Sequence, residues 1–246
     1  MSENKRLNVL GVGVDTASMA ETADALLSAM EGDSPYSVYT PNSEIILHAY
    51  HNPDYCAVLN RGDRITPDGI GVVYASKILK HPLPERVGGF DLVNVVLEKM
   101  AGTGRSVYLF GAKPGVADLA SKNICKQYPG TIVCGTADGY FDSEKEQEII
   151  KDINEKKPDL LLVCLGFPKQ EAWIDAHKNQ LSAKVIMGLG GSLDVFAGTV
   201  KRAPKGFQKL GLEWLYRLLK QPSRAGRMLA LPKFGMTVLL HGKKYL

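Results

Sequence analysis

The tetrapeptide TPDG at residues 66–69 sets a carboxylate, Asp68, in a turn just after a short apolar stretch. An aspartate there commonly bonds its own backbone. At the ligand-binding edge of a sheet it can instead act as a general base that removes a proton from an attacking hydroxyl. Two further segments, FGAKPG (110–115) and LGFPKQ (165–170), lead from apolar runs into helical patterns. Pro114 and Pro168 suit a first helical turn. Free amides at such helix starts suit an anion or a polar ligand, although ordinary connecting turns read the same way.

The sequence contains no Asp-x-Asp, the motif on which many sugar transferases hold a nucleotide diphosphate through a divalent cation. A diphosphate would then have to be met by cations of the chain. Arginine suits this task because its guanidinium fork bonds phosphate oxygens bidentately and stays charged. Near the end of the chain, LYRLLKQPSRAGRMLALPKF carries Arg217, Lys220, Arg224, Arg227 and Lys233 without one acid. From residue 195 onward eleven basic residues face a single acid, Glu213, ten positive charges net; the remainder then carries six negative charges net in a chain whose total is +4. Such asymmetry points to an anionic partner for the basic part: lipid, a phosphate-bearing substrate or nucleic acid.

These residues need elements to position them. Up to about residue 195, short Val/Ile/Leu runs alternate with helical patterns: RLNVLGVGV, YSVYTPN, RITP, RSVYLFG, TIVCGTADGYF, DLLLVCLG and AKVIMGLG read as strands. Residues 16–30 show an amphipathic stripe (Met19, Ala23, Leu26, Leu27, Met30). SEIILHAYHNPDY reads as one helix with Ser43 near its start, and residues 143–156 as a charged helix. Continuous apolar strands alternating with helices predict an α/β fold: a Rossmann-like parallel sheet with helices on both faces. Ligands of such sheets bind at the carboxyl ends of the strands. TPN, TPDG, FGAKPG, ADGYF, LGFPKQ and GLGGSLD all follow strands and fall there. Beyond residue 199 the pattern becomes a Lys/Arg-rich helical region broken by Pro204, Pro222 and Pro232. The expected organisation is a core of residues 1–195 and a basic helical appendage of residues 196–246.

Several classes of function recede. GVGVDT supplies the first two glycines of a dinucleotide fingerprint, but Thr16 stands at the third, which argues against NAD binding and a soluble oxidoreductase. The start, MSENKRLN, is polar and no apolar run approaches a membrane span, so a cytoplasmic protein is expected. Cys56, Cys125, Cys134 and Cys164 lack CxxC spacing and read as buried reduced thiols. His48 and His51 sit at i, i+3 with no third ligand in view, so no metal site is expected.

Taken in order, TPNSEIIL, TPDGIGVVYASK, LPERVGGFDLV, YLFGAKPGVA, GYF, LGFPKQEAWI, GLGGSLDVFAGTVKRAP and LGLEWLYRLLKQPSRAGRML resemble the WecG/TagA/CpsF glycosyltransferase family (glycosyltransferase family 26) over nearly the whole chain. The closest resemblance is to the branch that serves wall teichoic acid synthesis. The resemblance implies an inverting transfer, without metal or other cofactor, of N-acetylmannosamine from UDP-ManNAc to the C4 hydroxyl of GlcNAc on undecaprenyl diphosphate. It implies Asp68 as general base. Thr40, Asn42, Arg86 and Gln170 would line the pocket, and Tyr140 and Asp194 would lie beside the nucleotide. Arg217, Arg224 and Arg227 would reach the diphosphate when the appendage docks at the inner face of the membrane. Donor sugar and acceptor vary within the family, so a related UDP-sugar or lipid-linked acceptor is the alternative.

The residues also admit a non-catalytic module that binds anionic lipid through the basic tail. Leu212, Trp214, Leu215, Leu218, Leu219, Met228, Leu229 and Leu231 favour lipid over nucleic acid as its partner. The same apolar faces are suited to a second subunit in solution, a homo-oligomer.

Overall fold

The computed structural model describes residues 5–209, 212–220 and 230–246. Its centre is a six-stranded sheet built from β3 (Tyr36–Tyr39), β4 (Arg64–Ile65), β5 (Ser106–Gly111), β6 (Ile132–Ala137), β7 (Leu160–Cys164) and β8 (Val185–Gly188), in the order β4-β3-β8-β7-β5-β6 with every pairing parallel. Alternate residues of the central strands feed two separate cores. Tyr108, Phe110, Leu161, Val163 and Ile186 enter one, while Val107, Leu109, Leu160, Leu162, Val185 and Met187 enter the other. Period-two alternation between two buried faces explains why these strands carry no polar side. The expected α/β architecture is therefore the one the chain adopts.

The helices divide between the faces. One core gathers residues of α1 (Met19–Ala29), α5 (Gly89–Met100), α6 (Val116–Gln127) and α9 (Ser192–Phe196). The other gathers residues of α2 (Ser43–Tyr50), α3 (Pro53–Asn60), α4 (Ile70–Ile78), α7 (Ser143–Lys156) and α8 (Lys169–His177). Local chemistry sets their starts. Ser18 and Glu21 form a capping box at α1, and Asp142 accepts from Lys145 N at the start of α7.

Four readings of the sequence are corrected. RLNVLGVGV is two strands, β1 (Arg6–Val9) and β2 (Val12–Asp15), paired antiparallel outside the main sheet. Leu10 at φ 53° and Gly11 at φ 95° turn the chain between them, a left-handed pair suited to a two-residue hairpin. SEIILHAYHNPDY is two helices, because Pro53 has no amide proton to continue α2 and instead opens α3. Pro114 and Pro168 precede the helices they border: α6 is capped by Gly115, and Pro168 is itself the cap of α8. The cysteines are not uniformly buried. Cys164 is, and burial pushes its thiol up to about 12; Cys56 and Cys134 are half-buried and Cys125 is exposed. His48 stands edge-on to Tyr55 and Phe167, and His51 packs edge-on to Tyr50.

After β8 and α9 the chain forms α10 (Lys205–Lys209), α11 (Glu213–Lys220) and α12 (Ala230–His241), with a short 3-10 turn at Gly242–Tyr245. Pro232 is carried inside α12 instead of breaking it, and Pro222 lies outside the described residues. Helix α12 packs on α2 and α4. Phe234 is 2% exposed and Val238 1%, both within the core shared with the sheet, and His241 stacks on Tyr50. Truncating a fully buried phenylalanine removes its transfer energy and leaves a cavity. Phe234→Ala is thus expected to lower unfolding free energy by about 3–5 kcal/mol. Urea unfolding of the full chain measures this directly. A loss below about 1 kcal/mol would mean that α12 adds little to the core.

Candidate active site

The chain steps from β3 outward to β4, then builds β5, β6 and β7 on the opposite side and returns β8 between β3 and β7. A crevice opens at the carboxyl ends of strands at such a reversal. The loops after β3, β4, β7 and β8 converge there. Two adjoining cavities, of about 210 and about 300 Å³, share Asn42, Glu44, Asp68, Phe90 and Arg202 in their linings. Together they reach the ~300–1,000 Å³ typical of small-ligand sites.

Asp68 occupies the wall common to both cavities. Its amide donates to Pro41 O at 3.2 Å and Thr66 O at 3.0 Å, so the TPDG turn is braced on the TPN turn beside it. Gly69 follows at φ 92°, a backbone conformation that favours glycine, and the chain enters α4. The carboxylate lies 3.6 Å from Arg86 Nη1 and accepts from Gly89 N at 3.4 Å. It remains about a third exposed, open to a ligand.

Thr40 and Asn42 hold the first loop. Thr40 Oγ1 donates to Gly188 O at 3.1 Å, fastening the end of β3 to the end of β8. Asn42 Oδ1 caps α2, accepting from Glu44 N at 2.9 Å and Ile45 N at 3.1 Å. Gly89 sits against Thr40: a Cβ there would come within 3.0 Å of Thr40 and of Leu189.

Gln170 arrives from the first turn of α8. Its Oε1 accepts from Gly190 N at 2.8 Å and its Nε2 donates to Glu171 Oε1 at 2.7 Å. Glu171 is 1% exposed, and burial raises its carboxyl above the usual range despite the opposing bond from Gln170. A carboxyl raised in the folded state contributes stability that is fully present below its unfolded value and is lost as pH rises through the folded one. Glu171→Gln keeps an acceptor for Gln170 and removes the buried charge. Its Tm is therefore expected to match or exceed that of the unsubstituted chain at neutral pH and to fall less as pH rises from the ordinary carboxylate value. A thermal melt series across pH checks this, and an unchanged slope would remove Glu171 as its source.

Asp194 and Tyr140 differ in placement. Asp194, on α9, lines the larger cavity and accepts from Thr199 Oγ1. Tyr140 is 62% exposed on the loop after β6 and lines neither cavity. The crevice thus brings together Thr40, Asn42, Asp68, Arg86, Gln170 and Asp194. Arg217 lies on α11, but its side chain is outside the described residues, as are Arg224 and Arg227 entirely.

The structure adds a ring of charges that the sequence reading does not single out. Arg86 pairs through Nη2 with Asp91. Asp91 Oδ1 meets Arg202 Nη1 at 2.6 Å, Arg202 Nε meets Glu213 Oε1 at 3.0 Å, and Glu213 Oε2 returns to Arg86 Nη1 at 3.3 Å. Burial pushes the Asp91 carboxyl up, but Arg202 and Arg86 outweigh it and hold it below the usual value. Burial likewise works against the Arg202 charge, and Asp91 and Glu213 more than restore it. Arg202 also lies over the Phe90 ring, 5.0 Å from its centroid. One sequence signal pointed here: Glu213 is the only acid after residue 195.

Comparison with known proteins adds to this geometry. The description "Glycosyl transferase WecG/TagA/CpsF family" belongs to the family model that matches residues 7–245. A protein of Bacillus spizizenii strain W23 is 41% identical over 204 residues, covering 83% of this chain and 79% of its own length. One from Staphylococcus aureus strain MRSA252 is 38% identical over 235 residues, covering 95% and 92%. Both relatives carry the name N-acetylglucosaminyldiphosphoundecaprenol N-acetyl-beta-D-mannosaminyltransferase.

Proposed function

The chain belongs to the WecG/TagA/CpsF family of glycosyl transferases, and from that premise we propose that it moves N-acetylmannosamine from UDP-ManNAc to the C4 hydroxyl of GlcNAc on undecaprenyl diphosphate, in building the teichoic acid linkage unit. The names of its relatives support this acceptor and this sugar. The observation that carries the reading is Asp68: a carboxylate on a braced turn, part-exposed, in the wall between two adjoining cavities.

In the proposed reaction Asp68 takes the proton of the acceptor hydroxyl. The hydroxyl oxygen attacks the anomeric carbon on the face opposite UDP. The new C–O bond forms as the bond to the diphosphate oxygen breaks, and UDP departs with the electron pair. A single displacement of this kind inverts the anomeric centre. The leaving charge needs fixed cations rather than water to receive it. Arg86 of the crevice and Arg217, Arg224 and Arg227 of the basic segment are the residues proposed for this role, and no cofactor or metal is assigned.

The acceptor's lipid places the reaction at a membrane surface. Among the described residues no helix is long and apolar enough to cross a bilayer. Helix α12 exposes Met236, Leu239 and Leu240, followed by Lys243 and Lys244. Exposed apolar side chains beside lysines suit peripheral attachment to an anionic leaflet. Water would be excluded from the donor when this segment and the acceptor close the crevice.

A transfer assay with UDP-ManNAc and a short-chain lipid-linked GlcNAc acceptor, with UDP-GlcNAc as competing donor, tests the reading. Turnover with UDP-ManNAc, a β-linked product and full activity in chelator are expected. Preference for UDP-GlcNAc would replace the donor, retained configuration would replace the mechanism, and loss in chelator would replace metal independence.

A further inference from the structure

Arg202 stands where the two cavities meet, and among the described residues it is the guanidinium common to both linings. Arg86 lines only the smaller one. A donor that spans from a nucleotide pocket near Asp194 to a reacting sugar near Asp68 carries its diphosphate between them, across this junction. An acceptor of the proposed kind also carries a diphosphate. Either group needs a planar, permanently charged fork.

Among the described residues, the charges at the junction are weighted against a diphosphate. Within the described ion-pair network two guanidiniums, Arg86 and Arg202, meet three carboxylates, Asp68, Asp91 and Glu213, one negative charge in excess, and Glu44 adds a further carboxylate to both linings. The three acids of the network are not equivalent. Asp91 belongs to the first turn of α5, a helix whose apolar face is buried in the core, and bridges both arginines. Glu213 instead opens α11, a helix of eight residues in the basic segment, and lays one oxygen on each arginine. Two carboxylate oxygens spanning two guanidiniums copy the way phosphate oxygens would be held.

We propose that Arg202 is a diphosphate-binding residue of this site and that the Glu213 carboxylate competes with the diphosphate for it. The proposal rests on the glycosyl-transfer reading above and assigns to it two residues and an exchange. Diphosphate enters, Glu213 leaves the arginines, and the junction passes from net negative toward the positive balance that a departing diphosphate requires. The exchange also moves the start of α11, so occupancy of the site is felt by the basic segment.

Calorimetric binding to the full-length protein tests this, with UDP, uridine and a short-chain prenyl diphosphate as the three probes. Arg202→Ala is expected to weaken UDP by about tenfold or more, the loss of charged hydrogen bonds, while uridine binding is unchanged. Arg202→Lys is expected to fall between the two. Glu213→Gln is expected to tighten UDP by roughly threefold or more, because the competitor loses its charge. Weakening of the prenyl diphosphate instead of UDP would assign Arg202 to the acceptor and still support the proposal. Equal binding of both diphosphates by Arg202→Ala would overturn it, as would weaker UDP binding by Glu213→Gln. Parallel loss of uridine and UDP in both Arg202 variants would also overturn it, since that marks a damaged pocket. Failure of the unsubstituted chain to bind UDP would overturn the donor reading itself, and the nucleotide arm with it.

Discussion

Asp68→Asn is expected to slow sugar transfer by ~10²–10⁴-fold, the range that general base catalysis commands, with little change in fold or in UDP affinity. The substitution is nearly isosteric. The side-chain oxygen that accepts from Gly89 N can remain, and the backbone bonds from the residue 68 amide to Pro41 O and Thr66 O do not depend on the side chain. Arg86 loses one of three anionic neighbours but keeps Asp91 and Glu213, so it stays in place. What is lost is the ability to accept a proton. The loss should therefore fall on kcat, with KM for the donor close to that of the unsubstituted chain. Single-turnover transfer with excess enzyme separates this from slow product release. Near-normal turnover would reject Asp68 as the base. A collapse of UDP affinity alongside turnover would make it a binding residue instead.

Much of this site was legible because it obeys one rule. In a parallel sheet with helices on both faces, ligand-contacting loops follow strands. TPN, TPDG, LGFPKQ and GLGGSLD each do, and the structure gathers Thr40, Asn42, Asp68, Gln170 and Asp194 from them. The same rule applied to ADGYF leaves Tyr140 outside the crevice, because β6 is the far edge of the sheet and three strands, β8, β7 and β5, separate its loop from β3. Helix α5 was not assigned from the sequence: it begins at consecutive glycines, where helix propensity is poor, and its packing of Leu92, Val93, Val96 and Leu97 against the sheet overrides that. The first hairpin was missed for a related reason. RLNVLGVGV is apolar enough for an inner strand, and only the left-handed conformation at Leu10 and Gly11 breaks it. The charge ring was hidden most deeply. Arg86, Asp91, Arg202 and Glu213 span 127 positions between the first and last, and no local pattern reveals which arginine meets which acid. The lone acid in a basic segment was visible; its partners were not.

That ring ties the basic segment to the crevice, so removing the segment tests both together. Ending the chain after Thr199 is expected to reduce transfer to background, at least the loss seen for Asp68→Asn, and to lower stability as well. The two effects have separate causes. Arg202 and Glu213 go with the deleted part, and so do Arg217, Arg224 and Arg227, so the departing diphosphate keeps Arg86 as the arginine paired with Asp68. Helix α12 goes too, uncovering the surface of α2 and α4 on which Phe234 and Val238 were buried. At about 2–4 °C per kcal/mol for a chain of this size, the loss of cover alone should depress Tm by roughly 10 °C. The sheet, the Thr40–Gly188 fastening and the Gln170–Gly190 bond all lie before the cut, so the walls that β3, β7 and β8 give the larger cavity are retained, while Val200, Lys201, Arg202 and Tyr216 are lost from its lining. Uridine should still bind the shortened chain while UDP binding weakens. Phe234→Ala supplies the control: it destabilises through the same surface but keeps every charged residue, so its turnover at a temperature well below its Tm should stay near normal. Retained transfer by the shortened chain would mean that the core completes the site alone. An equal loss of transfer in folded Phe234→Ala would mean that the packing of α12, and not the charges it brings, is what the reaction requires.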